Sequence, residues 1–262
     1  MFGARFNDEV RFFISGQELS GVNDLNISYS NSASIAKTLG NNRGVTVVGG
    51  NTSQKISFSR YLIYDDPIYD YTGDQSMSGS IHYDGESYGF ESGYLSSYSV
   101  NCAVGTVPRV SAQFDIVDEL RTGESASGSV SHPTIDIPNQ GSISLTCDNS
   151  TTNRVIGFDY SVKSVRKTHF SIGQKSATAV ELVPPLEYSA QVQVEVDDAL
   201  LKSAYNFLDE RENKTVTFGI DGRDGNTLQT LTIPNASLVN ESVTMSADGS
   251  LRLNLNYIGH GF

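Results

Sequence analysis

The clearest signal along this chain is an alternation of apolar and polar side chains in two stretches, residues 55–63 and 188–196. The second stretch carries Gln191, Gln193 and Glu195 on one face and Val192, Val194 and Val196 on the other. A period of two is that of a β-strand with one buried face. The first stretch begins in the same way and becomes apolar on both faces at its end, which is typical of a strand that covers a core and then enters an interface.

Shorter runs of the same kind predict further strands, separated by turns rich in Gly, Asn and Asp. They cover residues 10–14, 24–30, 77–83, 87–91, 94–102 and 109–117 in the first half of the chain, and 142–146, 215–220, 229–234, 239–246 and 250–258 in the second. The sequence DGRDGN at residues 221–226 predicts a hairpin turn. Residues 31–44 are mostly polar and predict a long loop.

One segment has a helical period instead. Residues 199–212 place Leu200, Ala204 and Leu208 along one stripe, with charged side chains opposite. This is the pattern of an amphipathic helix that packs its apolar stripe on a sheet. The Asp pair just before the segment can cap its first turn. We therefore predict one helix in an otherwise β chain.

The order of these features occurs twice. The Tyr-Ser dipeptide at residues 29–30 recurs at 160–161, and the Asp pair at 65–66 recurs at 197–198. Between them, both copies hold a polar run with a basic residue, a Gly-containing turn, a Val-rich strand and an alternating strand. Alternation alone does not explain this matched order, so the sequence predicts an internal duplication.

The predicted fold is therefore mainly β, with two tandem related domains of the β-sandwich or half-barrel type. Residues 1–125 form the first domain, the polar stretch of small residues at 126–140 forms the linker, and residues 141–262 form the second domain, which contains the flanking helix. In the first domain, a Pro- and Tyr-containing loop at residues 65–74 takes the position of the helix.

Charge, hydropathy and cysteine content bear on three properties: nucleic-acid binding, membrane insertion and disulfide formation. The chain has a formal net charge of −12, so it lacks the clustered basic surface that grips nucleic acid. No apolar run reaches membrane-spanning length, and the first residues lack the apolar core of a signal peptide, which predicts a soluble protein without membrane insertion. Cys102 and Cys147 occupy unmatched positions in the two copies, so we expect buried free thiols instead of a disulfide.

The sequence lacks the residue patterns that carry chemistry. The four histidines are isolated, with no His-x-x-x-His or Cys-x-x-Cys spacing for zinc, and neither a Gly-rich phosphate loop nor a Gly-x-Ser-x-Gly motif occurs. The adjacent Asp65 and Asp66 could suggest acid–base chemistry, but neighbouring side chains point apart and capping explains their counterparts. We expect a protein that is not an enzyme and needs no metal or cofactor.

The most unusual local composition is a cluster of tyrosines and aspartates. Its members are Tyr64, Asp65, Asp66, Tyr69, Asp70, Tyr71 and Asp74. Tyrosine combines a rigid apolar ring with a polar tip and is enriched at protein interfaces. The Tyr–Asp cluster is therefore either part of an interface with a partner or a solvated surface loop. Sugar binding is less well supported, because the chain has no Trp to stack on a pyranose.

The order of elements resembles the tail-tube proteins of long-tailed bacteriophages. The resemblance lies in the strand and turn before a Tyr-Ser strand (residues 15–30), the polar loop with a Lys (34–44), the Ser-rich strand at 53–61 and the pattern at 93–114. It covers nearly the whole chain, twice over, and its motifs are loose patterns of strands and turns.

The resemblance implies a structural virion protein of the tail, assembled in the host cytoplasm. In that family, sandwiches flanked by a helix oligomerise so that their inward sheets form a barrel around a channel for the tape-measure protein and later DNA. A duplicated member would make the ring from three chains, with pseudo-sixfold symmetry, and rings would stack into a tube. A neck or distal-tail ring protein of the same fold, or a non-viral surface binding module, is the alternative.

For such a ring, we expect the strands at residues 55–63 and 188–196 to line the channel and to pair with neighbouring chains at their edges. The interface or lumen candidates are Arg60, Gln191, Gln193, Val194 and Glu195, together with the Tyr–Asp cluster. An acidic channel wall would repel DNA phosphates over a Debye length of about 8 Å. Val194→Asp is expected to leave monomers.

Overall fold

The computed structural model describes residues 10–30, 33–37, 44–48, 53–62, 66–83, 86–122, 137–148, 150–171, 177–196, 213–245 and 251–261. Most of these residues lie in β-strands. All strand pairs are antiparallel. The prediction of a mainly β protein is confirmed. Helical structure in these residues is a short 3₁₀ turn, Tyr69–Thr72, and they contain no helix with the length and apolar character needed to cross a membrane.

The strands of the first half of the chain pair with one another in a single order. They are β1 (Arg11–Ile14), β2 (Gln17–Glu18), β3 (Val22–Ser30), β4 (Ala33–Lys37), β5 (Gly44–Val48), β6 (Ser53–Tyr61), β7 (Met77–Tyr83), β8 (Glu86–Ala103), β9 (Arg109–Ile116) and β10 (Arg121–Thr122). Neighbours follow the order β3-β6-β9-β8-β7-β1-β2, and β10 adds to β8. Strands β4 and β5 form a separate hairpin.

The strands of the second half repeat that order. They are β11 (Ile143–Cys147), β12 (Ser150–Thr152), β13 (Val155–Lys163), β14 (Arg166–His169), β15 (Ala179–Leu182), β16 (Leu186–Val196), β17 (Lys214–Asp221), β18 (Thr227–Met245) and β19 (Leu251–Gly261). Neighbours follow the order β13-β16-β19-β18-β17-β11-β12, and β14 and β15 form a separate hairpin. Each strand from β1 to β9 thus has a counterpart that makes the same pairs.

β-bulges at matching places determine which residues correspond. The β3·β6 ladder has a bulge after Val22, and the β13·β16 ladder has one after Val155. Counting on from these positions, Tyr160 corresponds to Ile27. The sequence alignment that matches Tyr160 with Tyr29 is wrong by two residues. A two-residue shift keeps every side chain on the same face of the sheet, so the alternation does not reveal it.

The two halves join through a strand pair, β8 with β13, that we call the internal seam. Its register runs from Ala103 opposite Gly157 to Ser97 opposite Lys163. The seam produces one continuous sheet in the order β3-β6-β9-β8-β13-β16-β19-β18. Among the described residues, β3 and the second half of β18 have a strand partner on one side only. We call these two strands the open edges.

Two long strands bend and belong to two layers each. The first part of β8 pairs with β7, and its later part pairs with β9. In the same way, the first part of β18 pairs with β17, and its later part pairs with β19. The sequence predicts two strands at each of these places, with a turn at residues 92–93 in the first half. This is wrong, because a bulge between Met77 and Gly79 lets the β7·β8 ladder continue to Gly93.

The core lies between the layers. Phe12 of β1 packs edge-on against Phe58 of β6, with ring centroids 5.2 Å apart. In the second half, Phe158 of β13 stacks on Phe218 of β17 at 4.7 Å. Burying such rings is a main source of stability in a sheet protein. Cys102 and Cys147 are free and buried, as the sequence predicts.

Predictions outside the strands have different outcomes. The hairpin turn at residues 221–226 is confirmed, since it joins β17 to β18. The long loop predicted at residues 31–44 contains β4, which is a correction. Strand formation depends on pairing context, so a mostly polar sequence does not exclude a strand. The helix predicted at residues 199–212 and most of the linker at 126–140 lie outside the described residues.

Candidate assembly interface

Two of the predicted interface residues lie inside the molecule. Arg60 of β6 and Asp66, shortly after it, are buried, and Arg60 Nη1 is 3.8 Å from Asp66 Oδ1. The Tyr98 hydroxyl donates to Asp66 Oδ2 at 3.3 Å, and the Asp66 amide donates to Gln229 Oε1 at 2.6 Å. Burial raises the pKa of Tyr98, which keeps its hydroxyl protonated as a donor. Because Gln229 belongs to the second half, this buried polar cluster ties the halves together.

Tyr69 covers the internal seam. Its ring lies 5.5 Å from that of Tyr98 on β8 and 6.2 Å from that of Tyr160 on β13. Its hydroxyl is 3.2 Å from the Tyr160 hydroxyl and accepts a hydrogen bond from the Thr232 amide at 3.3 Å. Burial raises the pKa of Tyr160 above the ordinary value, so the Tyr160 ring is a neutral packing element.

The rest of the Tyr–Asp cluster is divided between the surface and residues outside the described part. The Tyr71 hydroxyl donates to Ser15 Oγ at 2.9 Å, and Asp70 is exposed. Tyr64 and Asp65 lie outside the described residues. For Asp66 and Tyr69, the contact made is with the other half of the same chain, which corrects the expectation of a surface loop at these two positions.

The structure separates the four candidates on β16. Gln191, Gln193 and Glu195 lie on the side of the continuous sheet away from the core, which we call the polar face. Val194 is buried on the opposite side. Val194→Asp would therefore place a charge in the chain's own core, so this variant would unfold the subunit before it could report on assembly.

Neutral hydrogen-bonding side chains dominate the polar face. One row of cross-strand neighbours consists of Ser59, Ser111, Ser99, Ser161 and Ser189. The next row on the second half consists of Asn101, Asp159, Gln191, Asn256 and Asn240. Two shallow grooves lie on this face, one at the internal seam and one among the first-half strands.

The charged side chains of the polar face lie mostly in opposite-sign pairs. The pairs are Lys55 with Asp115, Lys163 with Glu187, and Arg252 with Glu195. Lys55 Nζ lies 3.5 Å from Asp115 Oδ1. Cross-strand pairs of opposite charge stabilise a sheet modestly. The acidic wall that the composition predicts is therefore not found on the described strands, because the net charge of −12 is not concentrated on this face.

Exposed apolar side chains mark both open edges. On β3, Ile27 is 41% exposed and Tyr29 is 59% exposed; on β18, Val243 is 58% exposed and Met245 is 78% exposed. Val243 lies opposite the buried Leu253 of β19, so this row belongs to the apolar side of the sheet. Single exposed apolar residues are common, but a row of them along the last strand of a sheet favours association.

The counterparts of these residues in the internal seam are buried. Tyr160, the counterpart of Ile27, and Val100, the counterpart of Val243, are each 1% exposed. The prediction that the edges of residues 55–63 and 188–196 meet other chains is wrong, because β6 lies between β3 and β9, and β16 lies between β13 and β19. The open edges belong to the next strands outward.

Sequence reasoning missed the open edges. The available signal was Glu241, whose side chain stands opposite Leu255 in the apolar row of β18. A charged residue in an apolar row indicates a strand that its own chain does not enclose. Alternation by itself gives the same pattern for an edge strand and a central one.

Taken together, the described strands define a mainly β protein of antiparallel sheets, in which the continuous sheet ends at the two open edges. Among the residues that the structure describes, no group of three or more potential metal ligands comes together. No protein-family profile matches the chain, and no curated protein matches it significantly in sequence.

Proposed function

We propose that the chain is a structural subunit of a bacteriophage tail tube that assembles with copies of itself into rings. The single observation that carries the proposal is the pair of open edges, whose apolar side chains correspond to residues buried in the internal seam. An edge of this kind is a template for a further strand. The partner that fits each edge is the opposite edge of another copy, which supplies the missing half of the same strand pair.

A contact between β18 of one chain and β3 of the next is heterologous. Repeating this contact from chain to chain gives either a closed ring or an open helical filament. In the proposal, the two halves are tandem related tube domains at residues 1–125 and 141–262, joined by the linker at 126–140. The second domain carries the flanking helix at 199–212. Three chains then supply six half-units with alternating seams, and the repeated pairing order supports this arrangement.

The polar face lines the channel in this proposal. Its serine, asparagine and glutamine side chains can hydrogen-bond to water, and its charged side chains lie mostly in opposite-sign pairs. The described part of this face therefore offers no basic patch to hold DNA phosphates. Such a lining suits passage of the tape-measure protein and then of DNA. The subunit acts without catalysis, metal or cofactor, in the tail of the virion, after assembly in the host cytoplasm.

Sedimentation velocity and negative-stain microscopy of the purified chain test the proposal. We expect rings of three chains, which stack into tubes as concentration rises. Val243→Lys at the open edge should leave folded monomers, because a lysine on an edge strand opposes pairing. The matched control is Ile258→Lys, which changes a residue of similar exposure (51%) on β19, a strand paired on both sides; this variant should still form rings.

The same measurements separate the alternatives. Monomers at every concentration would contradict the proposal and favour a surface binding module. Rings of six whole chains would contradict the three-chain arrangement. Single rings that do not stack at any concentration would favour a neck or distal-tail ring protein over the main tube subunit.

A further inference from the structure

The internal seam has a definite register and definite residue types. Val100 lies opposite Tyr160 on the apolar side, and Ser99 lies opposite Ser161 on the polar side. The seam is formed within one chain, yet its two strands belong to different halves. It therefore provides a template for how β18 of one chain can pair with β3 of another.

Bulges specify the counterpart of each seam residue in the open edges. The bulge after Val22 in β3 corresponds to the bulge after Val155 in β13. On the other strand, the bulge after Leu95 in β8 corresponds to the bulge after Leu238 in β18. With these two correspondences, each residue pair of the internal seam specifies one pair of residues in the open edges.

We propose that the open edges of two copies pair antiparallel with Ile27 of one chain opposite Val243 of the next. The full set of opposite residues is then Leu25 with Met245, Asn26 with Thr244, Ile27 with Val243, Ser28 with Ser242, Tyr29 with Glu241, and Ser30 with Asn240. This register rests on the proposed self-assembly and adds to it the arrangement of residues at each contact between chains.

The residue types agree with the seam. Ser28 and Ser242 are the counterparts of Ser161 and Ser99, so the cross-strand serine pair occurs at both contacts. Val243 is the counterpart of Val100 and has the same side chain. The apolar members of the pairs then meet on the apolar side of the sheet, and the polar members other than Glu241 meet on the polar face.

Glu241 distinguishes this register from slipped ones. In the proposed register, its carboxylate lies opposite Tyr29, a side chain with a polar tip. A slip of two residues in one direction places Glu241 opposite Ile27 and leaves a carboxylate against an aliphatic side chain, which is unfavourable on burial. A slip of one residue sets apolar side chains against the polar face.

Cysteine cross-linking tests the register. Chains carrying Ser28→Cys and chains carrying Ser242→Cys are mixed, allowed to assemble, oxidised and separated on a non-reducing gel. We expect covalent dimers from the mixture, since directly opposite residues have Cα atoms within the range of about 4.4–6.8 Å that a disulfide needs. One chain with both substitutions should give covalent species up to three chains. The native cysteines are buried and should not interfere.

The matched control pairs Ser28→Cys with Asn240→Cys, which lies two residues away on the same face. Diagonal neighbours are about 7–8 Å apart, so we expect dimers to form roughly tenfold more slowly than with the proposed pair. Circular dichroism of each variant verifies that it is folded, and microscopy verifies that it forms rings.

The outcomes separate the register from the proposed function. Rings with preferential cross-linking of the control pair overturn the register and leave the ring-forming function in place. Rings in which neither pair cross-links overturn the open edges as the contact. Folded variants that form neither rings nor cross-links overturn both proposals. Cross-linking of the proposed pair in open filaments supports the register and contradicts the closed ring.

Discussion

At the scale of single residues, the most informative group is the buried polar cluster of Arg60, Asp66, Tyr98 and Gln229. A charged pair inside a protein is strongly sensitive to loss of one partner, because the remaining charge has been removed from water. Here the pair also connects the two halves, since Asp66 bonds to Gln229 of β18. Its role is to join the halves of the subunit.

Asp66→Ala should destabilise the chain by about 3–5 kcal/mol, because it removes the carboxylate that faces the buried Arg60 guanidinium. Urea unfolding of the monomeric Val243→Lys background measures the change. Asp70→Ala is the matched control on the same loop: its carboxylate is exposed, so we expect a change within about 0.5 kcal/mol. Equal effects of the two substitutions would contradict the structural role of Asp66.

Sequence reasoning located this loop as unusual but did not predict that Asp66 is buried. The cluster of tyrosines and aspartates is polar in composition, and composition alone describes a surface loop and a buried hydrogen-bonded segment equally well. The burial of Asp66 depends on Arg60 in the strand before it and on Gln229 far along the chain. No local pattern contains that pairing.

At the scale of elements, the bend of β8 depends on glycines around one aromatic ring. A Cβ at Gly79 would lie 2.5 Å from the Phe90 ring, and a Cβ at Gly93 would lie 2.7 Å from it. The ring therefore occupies space that side chains at these positions would fill. This arrangement lets the strand bend without a break in its pairing.

Gly79→Ala should destabilise the chain by about 1–3 kcal/mol, because the added methyl group overpacks the ring. Thermal unfolding measures the effect, and Ser78→Ala, at the exposed neighbouring position, should change little. Adding Phe90→Leu to Gly79→Ala should give a smaller loss than the sum of the two single changes, since both act on the same space. Additive losses would count against the contact.

The strands were predictable to within a few residues because alternation is a local property. The predicted breaks at residues 92–93 in β8 and before 239 in β18 were wrong, since glycine and short polar residues mark a bulged bend as readily as a turn. The two-residue error in aligning the copies has a similar cause. Alternation shows which side chains share a face of the sheet. The register between strands also depends on bulges, which the sequence pattern does not reveal.

At the scale of the whole molecule, the two halves should unfold as one unit. They share the ladder of the internal seam, the Tyr69 contacts across it and the buried polar cluster. We expect one calorimetric transition for the monomeric Val243→Lys variant, with equal calorimetric and van't Hoff enthalpies. Two separate transitions would mean that the seam couples the halves weakly.

The open edges were the part of the candidate site that sequence could not provide. Ile27 and Val243 lie in strands that alternate like their neighbours, and they are exposed because no described strand pairs with the outer side of either strand. Whether a strand is central or at an edge depends on the order of all the strands. That order follows from long-range pairing.

For the proposed ring, the joining of two halves in one chain also affects how fast and at what concentration rings appear. Each encounter between free bodies loses translational and rotational freedom, estimated at about 4–15 kcal/mol at standard concentration. A ring of six separate half-units needs five such losses, whereas three chains of this kind need two. The covalent link between the halves thereby lowers the molecularity of nucleation, so that a single collision of two chains already brings together four of the six half-units.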